Sequence, residues 1–188
     1  PRVYALWQAP FVRQKLAPFL AHNRLDTMRR VLDVGCGPGT NAALFLDKEY
    51  LGIDLDAGYV AEAQERFGPR FRVGDAAHLD VADFGAVDCL FVNSLTHHLD
   101  DAALDRLLSR TDLVSDDGRL HLIDLHLPDR GIERRLALAD RGEHPRPLAD
   151  LRERIERYWV VDLAEPFTLR FAAVDLWAMV YFRATPGR

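Results

Sequence analysis

The sequence predicts an α/β fold in which a mainly parallel sheet is covered by helices on both faces. Short apolar runs alternate with segments of helical period along the 188-residue chain, as they do in folds of this class. The runs are rich in Val, Ile, Leu, Phe and Tyr, which are typical of buried strands. Because 48% of the residues are hydrophobic, one sizeable core can form, and we expect a single domain over residues 1–188.

Five strands are predicted in the first two thirds of the chain, with helices between them. They are VLDVG at 31–35, YLGIDL at 50–55, FRVGDA at 71–76, VDCLFVNS at 87–94 and RLHLIDL at 119–125. The clearest helix follows Asp100 and Asp101, either of which can cap it. Asp117-Gly118 is a turn signal, so we expect it to end the last crossover and to start the fifth strand.

Both ends of the chain add to this pattern. Residues 1–30 are expected to form one or two helices, interrupted near Pro18, that cover the domain. Residues 128–147 contain three prolines around a short helical stretch, and we interpret them as an insertion that shapes a ligand pocket. A helix over 148–159 and two strands follow. The last strand is apolar on both alternating faces, so we expect it to lie inside the sheet.

The glycine-rich loop GCGPG, residues 35–39, joins the first strand to the next helix. Glycines let the backbone turn sharply and approach a ligand, and a helix N-terminus offers N–H groups and a positive dipole end. The same physics binds dinucleotides and phosphates. A dinucleotide fingerprint, however, would place glycine or alanine where Thr40 stands, and Pro38 has no N–H for a phosphate.

Two carboxylates at strand ends indicate what the loop binds. Asp54 ends strand two, where it can accept hydrogen bonds from both hydroxyls of a ribose. Asp75 ends strand three, where it can accept from the exocyclic amine of adenine while the N–H of Ala76 donates to the ring. Each aspartate could instead cap a helix. Their joint placement indicates a nucleoside that lies across the edge of the sheet.

With these residues in place, the chain resembles the class I S-adenosylmethionine-dependent methyltransferases, the seven-stranded Rossmann-like family. The resemblance covers nearly the whole chain and depends on VLDVGCGPGT, LGIDLD and VGDA in this order. The stretches FVNSLTHHLDD and LVSDDGRLHLID are similar to the fourth and fifth strand regions of that family. The resemblance implies the strand order 3-2-1-4-5-7-6, with strand 7 antiparallel and helices on both faces.

The resemblance also implies a cofactor and a reaction. S-adenosylmethionine would donate its methyl group to an oxygen, nitrogen or carbon atom of a small-molecule acceptor, which leaves S-adenosylhomocysteine. Residues 33–39 would hold the methionine portion, Asp54 the ribose, and Asp75 and Ala76 the adenine. The cofactor-binding residues implied in this way are Asp33, Gly35, Cys36, Gly37, Gly39, Asp54, Leu55, Asp75, Ala76 and Asn93.

His97 and His98 follow strand four, at the edge where ligands bind in such folds. A histidine of near-neutral pKa there could take a proton from the acceptor or orient it, so both are candidate catalytic residues. The alternative is that one packs under the next helix and the other faces solvent. Together with His126 and Asp124 they could hold a metal ion, but no spacing resembles a known ligand set, and we expect no metal.

The positive charge of the chain is nearly all arginine, since lysine occurs only at Lys15 and Lys48. In the 128–147 region, Arg141 or Arg146 could anchor an acidic acceptor. The alternative is that these arginines belong to a solvated helical face.

Composition and charge disfavour several classes of partner. With 24 Lys and Arg against 29 Asp and Glu, the formal charge is -5, so neither nucleic acid nor an anionic membrane surface is an expected partner. No apolar run approaches the ~20 residues of a membrane span. The first residues have no signal-peptide pattern, and the two cysteines have no metal-type spacing. We therefore expect a reduced, cytoplasmic protein.

Two other functions share part of this pattern. A catalytically silent protein that binds S-adenosylmethionine would have the same cofactor residues and would differ only on the acceptor side. An NAD-dependent oxidoreductase on a related fold is disfavoured by Pro38, Thr40 and Asp75.

Overall fold

The computed structural model describes the backbone of residues 2–187 and the side chains of residues 11–187. Within this range, seven strands form one sheet. The strands are β1 (Arg30–Val34), β2 (Glu49–Asp54), β3 (Phe71–Val73), β4 (Val87–Asn93), β5 (Val114–Leu125), β6 (Trp159–Phe171) and β7 (Val174–Pro186). The helices are α1 (Arg2–His22), α2 (Ala57–Phe67), α3 (Asp101–Leu108), α4 (Ile132–Ala139) and α5 (Leu148–Glu156).

The sheet has the strand order β3-β2-β1-β4-β5-β7-β6. The first five strands are parallel, and β7 runs antiparallel to both β5 and β6. This confirms the predicted fold, including the internal position of the last strand. Residues 179–182 of β7 are all buried because helices cover both sides of the sheet there.

The helices divide between the two faces. On one face, α3 and α5 bury Leu104, Leu151 and Ile155 against the sheet. On the other, α1, α2 and α4 form the cover, and Phe19 of α1 is completely buried. The parallel strands therefore have apolar neighbours on both sides, which explains their nearly continuous apolar sequences.

The fifth strand begins earlier than the turn signal predicts. It starts at Val114, and Asp117-Gly118 lies inside it, where the register with β4 shifts between Val87 and Cys89. A Cβ on Gly118 would lie 2.5 Å from the carbonyl oxygen of Val87. The glycine thus serves the close approach of two strands at an irregularity and does not form a turn.

Two helix predictions also need correction. The N-terminal helix α1 continues through Pro18, because Leu16 and Phe19 on the same stretch are buried in the core and their packing offsets the lost backbone hydrogen bond. The glycine loop is followed only by a short 3-10 turn, Ala42–Phe45. Phe45 is fully buried there and β2 begins at Glu49, so no room remains for a longer helix.

Helix α1 is hydrogen-bonded to the hairpin formed by β6 and β7. The side chain of Gln14 donates to the carbonyl oxygen of Arg170 at 3.0 Å and accepts from its backbone N–H at 2.9 Å. This pair holds the middle of α1 at the edge where the site lies. Within residues 2–187, no helix combines the length and the apolar character needed to cross a bilayer.

Candidate active site

A cavity of about 840 Å³ opens at the carboxyl ends of β1, β2, β3 and β4. This is the edge at which ligands bind in open α/β sheets, and the volume lies within the range of small-molecule sites. From the first 30 residues, Val12 and Lys15 line it. From residues 128–147, all of which the structure describes, Arg141 alone lines it.

The glycine loop forms one wall of the cavity. Gly35, Gly37 and Gly39 have φ values of 76°, 54° and 77°, a region that residues with a Cβ adopt at a cost. A Cβ on Gly37 would meet no atom within 4 Å, so bare backbone faces open space at this point. A Cβ on Gly39 would meet the ring of Phe67 at 3.0 Å, and Gly39 does not line the cavity.

Asp54 connects the loop to the end of β2. Its Oδ2 accepts from the N–H of Gly37 at 2.8 Å, and its Oδ1 accepts from the N–H of Asp56 at 2.9 Å. A carboxylate oxygen has two lone pairs, so both oxygens can still accept from ligand hydroxyls. Asp54 thus supports the loop and also lines the cavity.

Three residues that the resemblance assigns to the cofactor lie in the cavity wall next to the ends of β2 and β3. Leu55 is 73% exposed at the cavity, where an apolar side chain can cover a flat ring. Asp75 and Ala76 also line the cavity. The carboxylate of Asp75 accepts from Ala77 N–H at 2.8 Å, and its hydrogen bond with His78 lowers the pKa of Asp75. Asp75 is therefore a cap of the short turn that follows and a cavity residue at the same time.

Asp33 lies under the loop and does not line the cavity. It is completely buried, and Tyr50 donates its hydroxyl to Oδ2 at 2.8 Å. Its other oxygen, Oδ1, has no hydrogen-bond partner, and burial raises the pKa of Asp33 to about 7. Because strand residues alternate between faces, Asp33 points into the core beneath α1 and α2. Asp33 therefore lies behind the cavity, whereas the resemblance places it in contact with the cofactor.

The end of β4 supplies Asn93 and Ser94 to the cavity. The side-chain amide of Asn93 donates to Asn41 at 3.2 Å. Ser94 has a φ of 57°, an unusual conformation for a residue with a Cβ, of the kind found at functional sites. Its hydroxyl accepts from Nζ of Lys15, 3.0 Å away on α1.

Sequence reasoning missed Lys15 as a site residue. Burial lowers the pKa of Lys15, and its side chain lines the cavity beside Ser94. The available signal was its rarity, since this arginine-rich chain has only one other lysine. No local motif connects residue 15 with the end of β4.

The two adjacent histidines have different environments. His97 is 5% exposed and does not line the cavity; its Nδ1 donates to Asp124 at 2.5 Å and its Nε2 is 3.4 Å from a carboxylate oxygen of Asp140. Burial alone would lower the pKa of His97, but the charge and hydrogen bond of Asp124, with a smaller effect of Asp140, raise it to about 9.

His98 is the histidine that lines the cavity. Its ring lies 4.2 Å from the ring of His97, between centroids. Partial burial, together with the charge of His97, lowers the pKa of His98, so it is neutral near pH 7. His126 does not join this group at the cavity, and its Nδ1 is buried without a hydrogen-bond partner.

The cluster His97, His98 and Asp140 has one ligand atom per residue, all within 4.8 Å of one another. Such a group could admit a divalent cation. Both ring nitrogens of His97, however, already face carboxylates, and an ionised carboxylate accepts hydrogen bonds but does not donate them. The arrangement therefore suits a protonated imidazole ring between two carboxylates.

The structure separates the two arginines considered as anchors. Arg146 is buried and donates to the carbonyl oxygens of Thr96 and Leu99 at 2.9 and 2.7 Å. It also pairs with Asp101 at 2.8 Å. Arg141 is exposed at the cavity wall. Arg146 is thus structural, and Arg141 has the position of a ligand anchor.

Charge is distributed unevenly around the cavity. The acidic lining residues all come from the ends of β2 and β3 and from α2; they are Asp54, Asp56, Glu62 and Asp75. Arg66 lies among them and pairs with Glu62 at 3.8 Å. The other cations, Lys15 and Arg141, come from α1 and the 128–147 region. These two cations are suited to anionic groups of a ligand.

The known proteins to which this chain is similar are methyltransferases. The family described as "Methyltransferase domain" matches residues 31–118, which include Gly35, Asp54, Asp75 and His98. A trans-aconitate 2-methyltransferase of Methylobacterium nodulans is 31% identical over 186 residues, covering 91% of this chain and 68% of that protein. A putative methyltransferase of a Geobacillus species is 30% identical, covering 65% of this chain and 51% of that protein.

Solved structures have the same fold at lower identity. An S-adenosylmethionine-dependent methyltransferase of Clostridium acetobutylicum has a TM-score of 0.76 at 11% identity and covers 100% of this chain and 99% of its own. One from Archaeoglobus fulgidus has a TM-score of 0.71 at 17% identity, covering 96% of this chain and 98% of its own.

Proposed function

Because the chain belongs to the S-adenosylmethionine-dependent methyltransferases, we propose that it methylates a small carboxylate bound in the same cavity as the cofactor. The observation that carries this proposal is that Arg141 lines the same cavity as the acidic residues at the strand ends. The cofactor would lie against the strand ends and the acceptor against Arg141.

We assign the cofactor to the side formed by β1, β2 and β3. The bare backbone at Gly37 accommodates the methionine portion, with Gly35 also in the cavity wall. Asp54 accepts from the ribose, and Leu55 and Asp75 flank the adenine. Cys36, Ala76 and, from the end of β4, Asn93 also line the cavity. We assign Asp33 and Gly39 a supporting role, since neither lines the cavity.

Lys15 is added to this assignment. It is bonded to Ser94 at the end of β4, and β4 pairs directly with β1, which leads into the glycine loop. A cation at this point suits the carboxylate of the cofactor's methionine portion.

The acceptor side takes its specificity from Arg141. A guanidinium binds a carboxylate through two parallel hydrogen bonds. The relative from Methylobacterium is named for trans-aconitate, a tricarboxylate, and an acceptor of this chemistry would place one carboxylate on Arg141 and present another to the methyl group. The N-terminal helix and the 128–147 region would form the walls.

The reaction requires little acid–base catalysis from the protein. When bound, S-adenosylmethionine would supply an electrophilic methyl group to the carboxylate oxygen, and the electron pair of the broken S–C bond would return to sulfur, so that the products would be an ester and a thioether. The protein holds the acceptor in line, and orientation of this kind can lower a barrier by about 7 to 11 kcal/mol. A carboxylate is already deprotonated near pH 7, so we assign His98 an orienting contact and no proton transfer.

An acceptor screen tests the proposal. The protein would be incubated with S-adenosylmethionine and, in turn, trans-aconitate, simpler di- and tricarboxylates, and the corresponding amides, with mass spectrometry of the products. We expect methyl esters from one or more of the acids and no product from the amides. Methylation of the amides at a comparable rate, or of no carboxylate in the panel, would contradict the proposed acceptor class.

Arg141→Ala gives the matching test within the protein. Loss of a charge-assisted pair at an exposed position is expected to raise the KM for the carboxylate about 5- to 30-fold, with little change in the Kd of S-adenosylhomocysteine. Arg130→Ala is the matched control, because Arg130 is an exposed arginine of the same region that does not line the cavity. An unchanged KM in Arg141→Ala would remove Arg141 from acceptor binding.

A further inference from the structure

Residues 140–146, termed here the clasp segment, lie against the turn Thr96–His98 that follows β4. Three contacts join them. Asp140 pairs with Nε2 of His97 at 3.4 Å, the N–H of His144 donates to the carbonyl oxygen of His97 at 2.9 Å, and the guanidinium of Arg146 donates to Thr96. The clasp segment is thus fastened at its start, its middle and its end.

The backbone of the clasp segment touches His97 directly. A Cβ on Gly142 would lie 2.2 Å from Cδ2 of the His97 ring and 2.5 Å from the His97 carbonyl oxygen. Neither atom can move freely, because the ring is held by carboxylates and the carbonyl belongs to the main chain. A side chain at position 142 would therefore push the clasp segment away from the turn.

His97 connects the clasp segment to the sheet through Asp124. Asp124, at the end of β5 and completely buried, accepts from the ring of His97, from the backbone of Thr96 and from its hydroxyl. Asp124 also accepts from the backbone N–H of its own neighbour Leu125. Asp124 consequently fixes the position of the His97 ring, which in turn pairs with Asp140.

Arg141 directly follows Asp140 in the chain. An ion pair that fixes the Asp140 side chain therefore restricts the backbone from which the Arg141 guanidinium reaches the cavity wall. A loosened Asp140 would leave Arg141 charged but poorly placed, and rigid placement determines how much affinity a charged group contributes.

We infer that the His97–Asp140 ion pair positions Arg141 and thereby sets the affinity of the enzyme for an anionic acceptor. This rests on the proposed function, in which Arg141 anchors the acceptor. Asp140 and His97 are accordingly positioning residues, since neither lines the cavity, and Gly142 is required for the close approach.

Two variants test the inference by independent routes. Asp140→Asn removes the charge of the ion pair, and Gly142→Ala forces the segment outward without changing any charge. In both we expect the KM for trans-aconitate, or for the carboxylate identified in the screen, to rise about 5- to 10-fold with kcat and the Kd of S-adenosylhomocysteine nearly unchanged. Asp129→Asn is the control, because Asp129 is exposed in the same region and away from the cavity. Thermal unfolding of each variant verifies that it is folded.

The pH dependence supplies a readout that a purely structural role would not change. The groups facing His97 are Asp124 on β5, Asp140, His98 on the same turn, and Lys15 on α1, which interacts with both aspartates. As the pH rises through about 9, His97 loses its proton and the pair with Asp140 weakens, so the acceptor KM of the wild type should rise there. In Asp140→Asn that rise should be absent. Titration of Lys15 would instead change the Kd of S-adenosylhomocysteine.

The outcomes separate the two proposals. If Arg141→Ala raises the KM while Asp140→Asn and Gly142→Ala behave as the wild type, the positioning role is wrong and the anchor stands. If Arg141→Ala has no effect, the anchor itself fails. If EDTA abolishes activity and Zn²⁺ or Mg²⁺ restores it in the wild type but not in Asp140→Asn, then His97, His98 and Asp140 hold a metal ion and the inference is overturned.

Discussion

Among single residues, Asp54 joins two parts of the cofactor half of the site. One oxygen supports Gly37 in the loop and the other the start of α2 at Asp56. The sequence placed this residue at the end of a strand, and that position alone predicted its exposure to the cavity. The fixing of the loop by the same carboxylate could not be predicted, because it depends on the conformation of Gly37.

Asp54→Ala is expected to weaken the binding of S-adenosylhomocysteine by about 2 to 3 kcal/mol, the total of the charge-assisted bonds that the carboxylate would make to two hydroxyls. Isothermal titration calorimetry measures this. Asp100→Ala is the control, since Asp100 caps α3 through Ala103 N–H and does not line the cavity. A folded Asp54→Ala protein that binds as tightly as the wild type would show that Asp54 only supports the loop.

His98→Ala distinguishes an orienting group from a base. With a carboxylate acceptor, we expect a higher acceptor KM and a kcat that changes by no more than a few-fold, because no proton is transferred. Removal of a true base would lower kcat by about 100- to 10,000-fold. Single-turnover methyl transfer measured between pH 6 and 9 decides between them, and a large loss of kcat would mean that the acceptor gives up a proton to His98.

At the scale of elements, the strands were predictable from their apolar composition, whereas the helices depended on tertiary packing. The sequence around Pro18 favours an interruption, but the burial of Leu16 and Phe19 keeps α1 continuous. In the same way, Gly118 looks like a turn residue in sequence and serves a close contact between β4 and β5. Local sequence signals fail to predict the backbone conformation where a buried side chain or a neighbouring strand determines it.

A buried polar group ties α1 to the sheet. Nδ1 of His121 on β5 is hydrogen-bonded to the hydroxyl of Tyr181 on β7, 2.8 Å away, and Asn23, directly after α1, donates to the same hydroxyl at 2.7 Å. Burial, with smaller effects of Arg183 and Arg119, lowers the pKa of His121 to about 3. The folded protein therefore keeps this ring neutral well below the pH at which a histidine in an unfolded chain takes up a proton.

This neutral histidine makes the fold sensitive to mild acid. Below about pH 6.5 the unfolded chain binds a proton that the folded chain does not, so stability falls as the pH drops from about 6.5 toward 3. Between pH 7 and 5 the expected loss from His121 is about 2 kcal/mol. Urea unfolding at both values, compared with His121→Phe, isolates it. An equal loss in wild type and variant would show that His121 does not cause the acid sensitivity.

At the scale of the whole molecule, the two halves of the site differ in how they are encoded. The residues assigned to the cofactor follow successive strands between residues 35 and 93, so their order along the chain reveals their meeting at one edge. Other contacts at the site join Lys15 to Ser94, on the cofactor side, and His97 to Asp140, beside the proposed acceptor anchor. These pairs are distant in sequence and have no motif, and only the packing of α1 and the clasp segment on the sheet brings them together.

In the function proposed here, one cavity holds the cofactor at the ends of the strands and a carboxylate acceptor at Arg141. A crystal structure with S-adenosylhomocysteine and trans-aconitate, or the carboxylate identified in the screen, tests it most directly. We expect ribose hydroxyls on Asp54 and an acceptor carboxylate on the guanidinium of Arg141. Ribose density away from Asp54, or an acceptor bound without contact to Arg141, would contradict it.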